Sequence, residues 1–438
     1  MLKVQAQDIL RGLLITALCG SLMTGCKNST SNPAGPGGGG TGGTITVTGK
    51  VIGQNSQPQS GVPVIILGTT IPSVNTDANG NFTISNVTTP YNIAVVDGAD
   101  KASLVYKGLT RSDPTLVWPD IALGTARTAT LSGTIYPASA FPEPATRRAR
   151  IVFGSPEVAV GAIVNSNTGN YSINATWYGP TTTTGTVYTL QWSFDAMTAL
   201  PTSYDGFGAR SGISLLDATA NPNGNDTLSV VSSSTISGTV TPAAGYTLAA
   251  KSLSVAFANN ASIPLATDNT AAGSFSFLTP SLNGATIMIA GSATKSGNSS
   301  SAHKVGLSAS ATGVALSVPA APELSLPIDA TTGVTKSSQF SWSPVPNAVH
   351  LLVFQGAAGL PRYLVLTTAA SDSIPDMTTA GLGLPASTNY QWSVLALGPF
   401  SNLDAAAASS GFLSGVTMPV AADGFFGRSV TRTFTTAP

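Results

Sequence analysis

The chain has 438 residues, 19 of them Lys or Arg and 19 Asp or Glu, so charged side chains make up 9% of the sequence where soluble proteins average about 25%. A formal charge of zero leaves no basic footprint for a phosphate backbone, so no nucleic acid is expected as a partner, and a hydrophobic content of 42% argues against disorder. At roughly 150 residues per domain the length allows about three domains, and 46 Gly with 29 Pro punctuate the chain as in a turn-rich β protein.

Residues 1–12 carry Lys3 and Arg11, and residues 13–23 form an apolar stretch too short for a membrane span of about 20 residues. The stretch ends in Leu22-Met23-Thr24-Gly25-Cys26. This resembles the lipobox of bacterial lipoproteins: Thr24, Gly25 and Cys26 match, while Met23 stands where Leu is usual. The resemblance implies cleavage before Cys26, a lipid on that residue and attachment to a membrane through it; an ordinary signal peptide with an incidental Cys is the alternative. Cys19 would leave with the signal, so Cys26 would be the single remaining thiol and could form no internal disulfide. Residues 26–43, with Gly37-Gly38-Gly39-Gly40, read as the lipidated Cys and a flexible tether. Lys27 rather than Asp follows Cys26, which by resemblance to lipoproteins of diderm bacteria implies the outer membrane, on either its periplasmic or its surface side.

From Thr44 onward, short runs rich in Thr, Val, Ile and aromatics alternate with Gly, Pro, Asn and Asp clusters, the pattern of strands in β-sandwiches. Residues 404–409, with four consecutive alanines, are the one candidate helix. Three segments open alike: Thr48-Gly49-Lys50-Val51, Ser132-Gly133-Thr134-Ile135 and Ser237-Gly238-Thr239-Val240. A second block follows each: Gly80-Asn81-Phe82-Thr83-Ile84, Gly169-Asn170-Tyr171-Ser172-Ile173 and Gly273-Ser274-Phe275-Ser276-Phe277, at Gly-to-Gly separations of 31, 36 and 35 residues. Glycine inside a strand pattern indicates a bulge or a close backbone approach, and the aromatic two places beyond the turn Gly should face the core. Between the blocks lies a further strand in each copy: residues 62–67, 149–153 and 252–257. Three related sandwiches are therefore predicted, over residues 44–126, 127–232 and 233–320.

In the first copy, Thr48-Gly49-Lys50-Val51, Gly61-Val62-Pro63-Val64, Thr76-Asp77-Ala78-Asn79-Gly80-Asn81-Phe82 and Val87-Thr88-Thr89-Pro90-Tyr91 resemble the carboxypeptidase regulatory-like, or transthyretin-like, domain. The resemblance covers about 50 residues and implies a small antiparallel sandwich without catalytic residues of its own. Copies two and three keep the Gly blocks and lose the Thr-Asp-Ala-Asn-Gly turn, so their membership rests on the repeat.

Residues 321–438 differ. Phe340-Ser341-Trp342-Ser343-Pro344 and Asn389-Tyr390-Gln391-Trp392-Ser393-Val394-Leu395-Ala396 resemble a fibronectin type III domain, with a core Trp and a Tyr-x-x-x-Val-x-Ala penultimate strand. Residues 428–436 serve as its final strand, and residues 319–322 as a linker ahead of it. A long segment, 397–427, separates the last two strands where the family has a short loop. It carries Phe400, Phe412, Phe425 and Phe426, and is either a partner surface or a flap folded onto its own sandwich.

Groups able to do chemistry are scarce. His303 and His350 are the only histidines, and no Gly-x-Ser-x-Gly elbow occurs. Zinc spacing is absent; Asp77-Ala78-Asn79-Gly80-Asn81 and Asn221-Pro222-Asn223-Gly224-Asn225-Asp226 hint at calcium loops but read better as turns. Glu occurs only at Glu143, Glu157 and Glu323, and Arg147, Arg148 and Arg150 read as a solvated strand edge. No catalytic residue, metal site or cofactor is expected.

Five tryptophans, Trp118, Trp177, Trp192, Trp342 and Trp392, would stack on sugar rings if exposed; Trp342 and Trp392 are expected in the core of the last domain, and Trp177 and Tyr178, beside a Gly/Pro/Thr loop, are the weak candidates, with core packing of Trp177 as the alternative. The expected architecture is all-β: tandem antiparallel, Ig-like or transthyretin-like sandwiches in a rod behind a signal peptide and tether. The expected function is non-catalytic, a lipid-anchored envelope protein presenting modules for adhesion or protein binding, with carbohydrate binding as the alternative. Trp177, Tyr178, Phe412, Phe425 and Phe426 are the candidate contact residues, the protein or glycan partner being open.

Overall fold

The computed structural model describes residues 43–53, 57–118, 125–136, 146–165, 168–259, 261–409, 411 and 422–438. The signal segment, the tether, Cys26 and Phe412 lie outside the described residues.

The first module comprises β1 (Thr44–Ile52), β2 (Pro63–Ile66), β3 (Val74–Asn75), β4 (Asn81–Thr88), β5 (Tyr91–Asp97), β6 (Ala102–Leu109) and β7 (Thr115–Val117). The second comprises β8 (Arg127–Tyr136), β9 (Arg147–Gly154), β10 (Ala159–Ile163), β11 (Asn170–Trp177), β12 (Thr182–Phe194), β13 (Pro201–Leu216), β14 (Thr219–Asn221) and β15 (Asp226–Thr227). In the third are β16 (Ser233–Pro242), β17 (Thr247–Ala256), β18 (Ser262–Asp268), β19 (Ser274–Pro280), β20 (Thr286–Lys295), β21 (Asn298–Leu307) and β22 (Val314–Val318).

These three modules share one plan. A small sheet, β4-β1-β7, β11-β8-β14 or β19-β16-β22, has the module's first strand at its centre, antiparallel to the strand carrying the aromatic block and parallel to a strand near the module's C-terminal end. The other sheet is built on the between-block strand: β6-β5-β2-β3, β10-β9-β12-β13 or β18-β17-β20-β21. The repeated glycines and aromatics of the sequence are direct cross-strand partners, Gly49 with Phe82, Gly133 with Tyr171 and Gly238 with Phe275. Each aromatic ring turns inward beside a position where a side chain has no room.

The fourth module holds β23 (Leu324–Leu326), β24 (Thr331–Val334), β25 (Phe340–Trp342), β26 (Val349–Gly356), β27 (Arg362–Thr367), β28 (Ser371–Asp372), β29 (Asn389–Gly398), α1 (Leu403–Ala406), β30 (Gly424–Arg428) and β31 (Arg432–Thr436). A sheet β23-β25-β28 packs against one containing β27-β26-β29-β31, around Phe340, Trp342, Phe354, Trp392 and Phe434. Phe340 meets the rings of Phe354, Trp392 and Phe434 edge-on at centroid distances of 4.8, 4.9 and 5.3 Å, the geometry aromatic quadrupoles favour.

The modules do not line up in chain order as the expected rod would require. Arg362–Leu366 of β27 pair in parallel with Ala102–Tyr106 of β6, joining the fourth module edge to edge with the first. On its other side, β29 pairs with β30, and β30 pairs with β21 of the third module. Among the described residues 14 strands thus form one continuous sheet, with the fourth module between the first and third. The second module attaches by packing: Leu190 and Trp192 share a buried cluster with Phe257 and Ile263, and Tyr188 stacks on Phe257 at 4.4 Å. Residues 319–322, read as a linker, are docked, since Ala321 is buried and its N–H donates to Tyr246 Oη at 2.9 Å.

Candidate functional site

The segment from residue 397 onward is the place where sequence offered two alternatives, and its described parts fold onto the chain's own modules. Asn402 caps α1 by accepting the Ala405 N–H at 2.8 Å, as a side-chain oxygen at an N-cap should. The short helix directs Leu403 and Ala406 into the core of the first module, among Val47, Ile84 and Leu104. Asp404 points the other way. Its Oδ1 accepts the backbone N–H groups of Thr110 at 2.9 Å and Arg111 at 3.1 Å, Thr110 Oγ1 donates to its Oδ2, and the Arg111 guanidinium donates to its carbonyl at 2.6 Å. The Thr115 N–H donates to Ala407 O at 2.7 Å and completes the seam.

At the far end of the segment, β30 lies between two modules and uses its two faces differently. Phe426 is buried in the first module's core, whereas Phe425 packs against the third module's cluster and against Val345, Ala348 and Ala396. Phe425 faces Ala302 on one side and Gly398 on the other, where a Cβ would lie 2.3 Å from its ring. His303 donates its Nε2 proton to Ala422 O at 3.2 Å, and Asp423 accepts the Val305 N–H at 3.0 Å. Burial holds the His303 imidazole below its usual pKa. Phe425 and Phe426 therefore act as an intramolecular staple, with Phe426 buried and Phe425 half-buried.

Trp177 is not an exposed ring. It is fully buried, and its indole N–H donates to Pro180 O at 2.8 Å. The cause is register: Tyr171, Ile173, Ala175 and Trp177 occupy alternate positions of β11 and all face the core. Tyr178, one place further, is half-buried. The other four tryptophans are buried too, so none of the five presents a ring to solvent.

The turn candidates spend their oxygens on the backbone. Asp77 Oδ1 accepts the N–H groups of Asn79 and Asn81, each at 2.8 Å, and the Asn81 amide donates to Oδ2 at 3.2 Å. These donors, the Asn81 N–H first, hold its carboxyl below the usual range. In the second module, Asn225 accepts the Thr134 N–H, Gly224 O accepts the Tyr171 hydroxyl, and a Cβ on Gly224 would lie 1.9 Å from that hydroxyl. Neighbouring Asp226 is buried, which pushes its carboxyl up.

Arg150 lies inside its sheet, opposite Ile163 of β10 and Leu190 of β12, whereas Arg147 and Arg148 extend past β10 and among the described residues pair with β12 alone. Arg147 pairs with Asp205 at 3.2 Å, and the Arg148 guanidinium sits 4.5 Å from the Phe194 ring centroid. Glu157 accepts the Thr183 hydroxyl and Glu323 pairs with Lys295. His303 on β21 and His350 on β26 are separated by two strands of the shared sheet. Among the described residues no three His, Cys, Asp or Glu side chains gather closely enough to hold a metal ion, and no helix is long and apolar enough to cross a membrane.

Two of the ion pairs among the described residues, neither indicated by a sequence motif, are largely shielded from solvent. Lys107 of the first module pairs with Asp372 of the fourth at 2.5 Å. Lys251 is fully buried, with its Nζ on Asp268, Thr270 O, Thr270 Oγ1 and Ala272 O at 2.5–3.1 Å. Only a Lys between apolar neighbours in a strand pattern, Ala249-Ala250-Lys251-Ser252-Leu253, marks the second in sequence.

No family model matches the chain, and no curated protein does. Among solved structures it is similar to the Bacillus anthracis TIE protein, at 10% identity and a TM-score of 0.16, over 63% of this chain and 49% of that one. The shaft pilin SpaA from Lactobacillus rhamnosus GG gives 10% identity and a TM-score of 0.14, over 44% of this chain and 97% of that one. A Streptococcal ancillary pilin gives 10% identity and a TM-score of 0.14, over 63% and 99%. The chain spans about half the length of the TIE protein. Superposition at this level transfers neither a partner nor an activity.

Proposed function

We propose that this chain is a non-catalytic, lipid-anchored cell-envelope protein that presents β-sandwich modules for adhesion or protein binding. The observation that supports this reading is the continuous sheet through the first, fourth and third modules. Backbone ladders between modules brace the body where flexible joints would let it bend, and a presenting surface benefits from that bracing. Cys26 is the proposed lipid site, the residues after it the tether, and the outer membrane the proposed location. In the same reading the first three modules are carboxypeptidase regulatory-like and the fourth fibronectin type III-like; burial of Trp342, Tyr390, Val394 and Ala396 supports the latter.

Replacing Cys26 by Ala should move the protein out of the membrane fraction, and an unchanged fraction overturns the anchor. Residues 27–438 immobilised on beads should bind envelope proteins saturably; binding absent from both envelope-protein and glycan arrays overturns the presenting role. Deleting residues 397–427 is unsuitable as a control, because it removes α1 and most of β30 and with them core side chains of the first module.

A further inference from the structure

This chain joins its modules by pairing sheet edges, β6 with β27 and β21 with β30. The remaining edges of the large sheets are mostly closed to such pairing. Strand β3 is two residues long, and β24, at the end beyond β31, is a four-residue strand whose ladder shifts register and whose Gly333 has a φ of +73°. Strand β18 contains Pro264 and packs its Ile263 and Leu265 against the second module. On β13 the outer backbone is taken up locally: Phe207 exchanges hydrogen bonds with Ser229, Asn221 Nδ2 donates to Ser214 O, and Gly212 has a φ of +74° that interrupts the strand.

Strand β10 is the exception. Its sequence, Ala159-Val160-Gly161-Ala162-Ile163, has neither the charge nor the proline that often protects natural edges. It pairs with β9 on one side only among the described residues. The ladder fixes which groups point away. Val164 N–H donates to Ala149 O and Ser155 N–H to Val158 O, so the even-numbered residues 158–164 bond to β9. The N–H and C=O groups of Ala159, Gly161 and Ile163 consequently face outward. Gly161 is exposed, and Ile163, 62% exposed, leaves an apolar side chain beside those groups, which have no partner strand among the described residues.

We propose that β10 is the site where a second copy of this chain pairs, antiparallel, about a two-fold axis through Gly161. The partner strand must match a short, uncharged, outward-bonding segment, and β10 meets its own requirement. With Gly161 opposite Gly161 of the second copy, Ala159 of one copy lies opposite Ile163 of the other, and both exchange backbone hydrogen bonds. Each exposed Ile163 is then covered on its own face by the other copy's Ala159. The two β10-β9-β12-β13 sheets become one, by the same edge pairing that unites three modules within the chain.

The test uses residues 27–438, which contain no Cys. Sedimentation over a concentration series should give a reversible dimer. Ile163→Lys, at an exposed position the fold tolerates, should weaken it at least ~10-fold, whereas Ala209→Lys on β13 should leave it unchanged. To fix the register without relying on that variant, a chain with Ala159→Cys is mixed with one carrying Ile163→Cys and oxidised. Mixed disulfide dimers should dominate over either like pair. A chain that stays monomeric across the series, a dimer indifferent to Ile163→Lys, or a preference for like pairs overturns the proposal; monomers would leave β10 open to an extended peptide of another protein instead.

Discussion

Gly238 stands directly opposite Phe275 across the first ladder of the third module, and a methyl group placed on it would lie 2.0 Å from the Val314 carbonyl oxygen and 2.9 Å from the Phe275 ring. The neighbouring strand β22 runs parallel to β16 so closely that only hydrogen fits. Gly238→Ala should therefore destabilise the protein by about 1–3 kcal/mol through forced repacking, and Phe275→Ala by about 3–5 kcal/mol through the cavity it leaves. Urea melts of both variants check this. A Gly238→Ala variant as stable as the parent would show that the approach of β22 is not a constraint.

The same relationship marks what the residue pattern disclosed. Spacing of Gly and aromatic blocks gave three copies, and the glycine left a bulge or a close approach open. Gly49, Gly133 and Gly238 all prove to be close approaches, with a Cβ meeting Pro114 O, the Gly224 backbone or Val314 O at 2.7 Å or less.

Trp177 sits where two signals in the sequence compete. Alternation from Tyr171 through Ile173 and Ala175 puts it on the core face, whereas the adjacent Gly179-Pro180 loop suggests a surface position, and the register prevails. Trp177→Ala should cost about 3–5 kcal/mol and lower the melting temperature. Any retention on a polysaccharide column should be lost only in step with unfolding. Loss of retention with unchanged stability would restore the exposed-ring reading.

The seam between the first module and α1 joins residues almost 300 positions apart in sequence. Asp404→Ala should cost about 1–3 kcal/mol, because it leaves the Thr110 and Arg111 N–H groups to weaker partners. Leu403→Ala, which opens the core directly, should cost about 2–5 kcal/mol. Both should speed proteolytic cleavage within residues 397–423 at native temperature. An unchanged cleavage rate in both would mean the seam does not hold the segment down.

No feature of the sequence disclosed the edge pairing of β6 with β27 or the bridging position of β30. Hydrophobic alternation reports which face of a strand is buried, and the burial of Leu104, Val105 and Tyr106 says nothing of which strand lies beside them. Which backbone lies alongside is decided by N–H and C=O groups that every residue carries alike. Phe425 and Phe426 were legible as an aromatic pair, yet their division between two modules follows from β30 having a neighbour on each side.

His350 gives the chain a defined acid response. It is buried on β26, its Nε2 accepts the Val345 N–H at 3.1 Å, and burial lowers its pKa from 6.5 to about 4. Protonation would turn that acceptor into a second donor facing a donor. Between pH 6.5 and about 4 the unfolded chain binds this proton and the folded chain does not, so stability falls as the pH is lowered through that window. The loss is on the order of 3 kcal/mol. His303, also lowered by burial, acts in the same direction, while Asp226, raised above 3.8 by burial, opposes it. Comparison with His350→Gln, which keeps an acceptor and removes the titration, isolates the His350 share. Urea midpoints taken from pH 7 to pH 4 should fall less steeply in the variant, and parallel curves would show that His350 titrates normally in the folded protein.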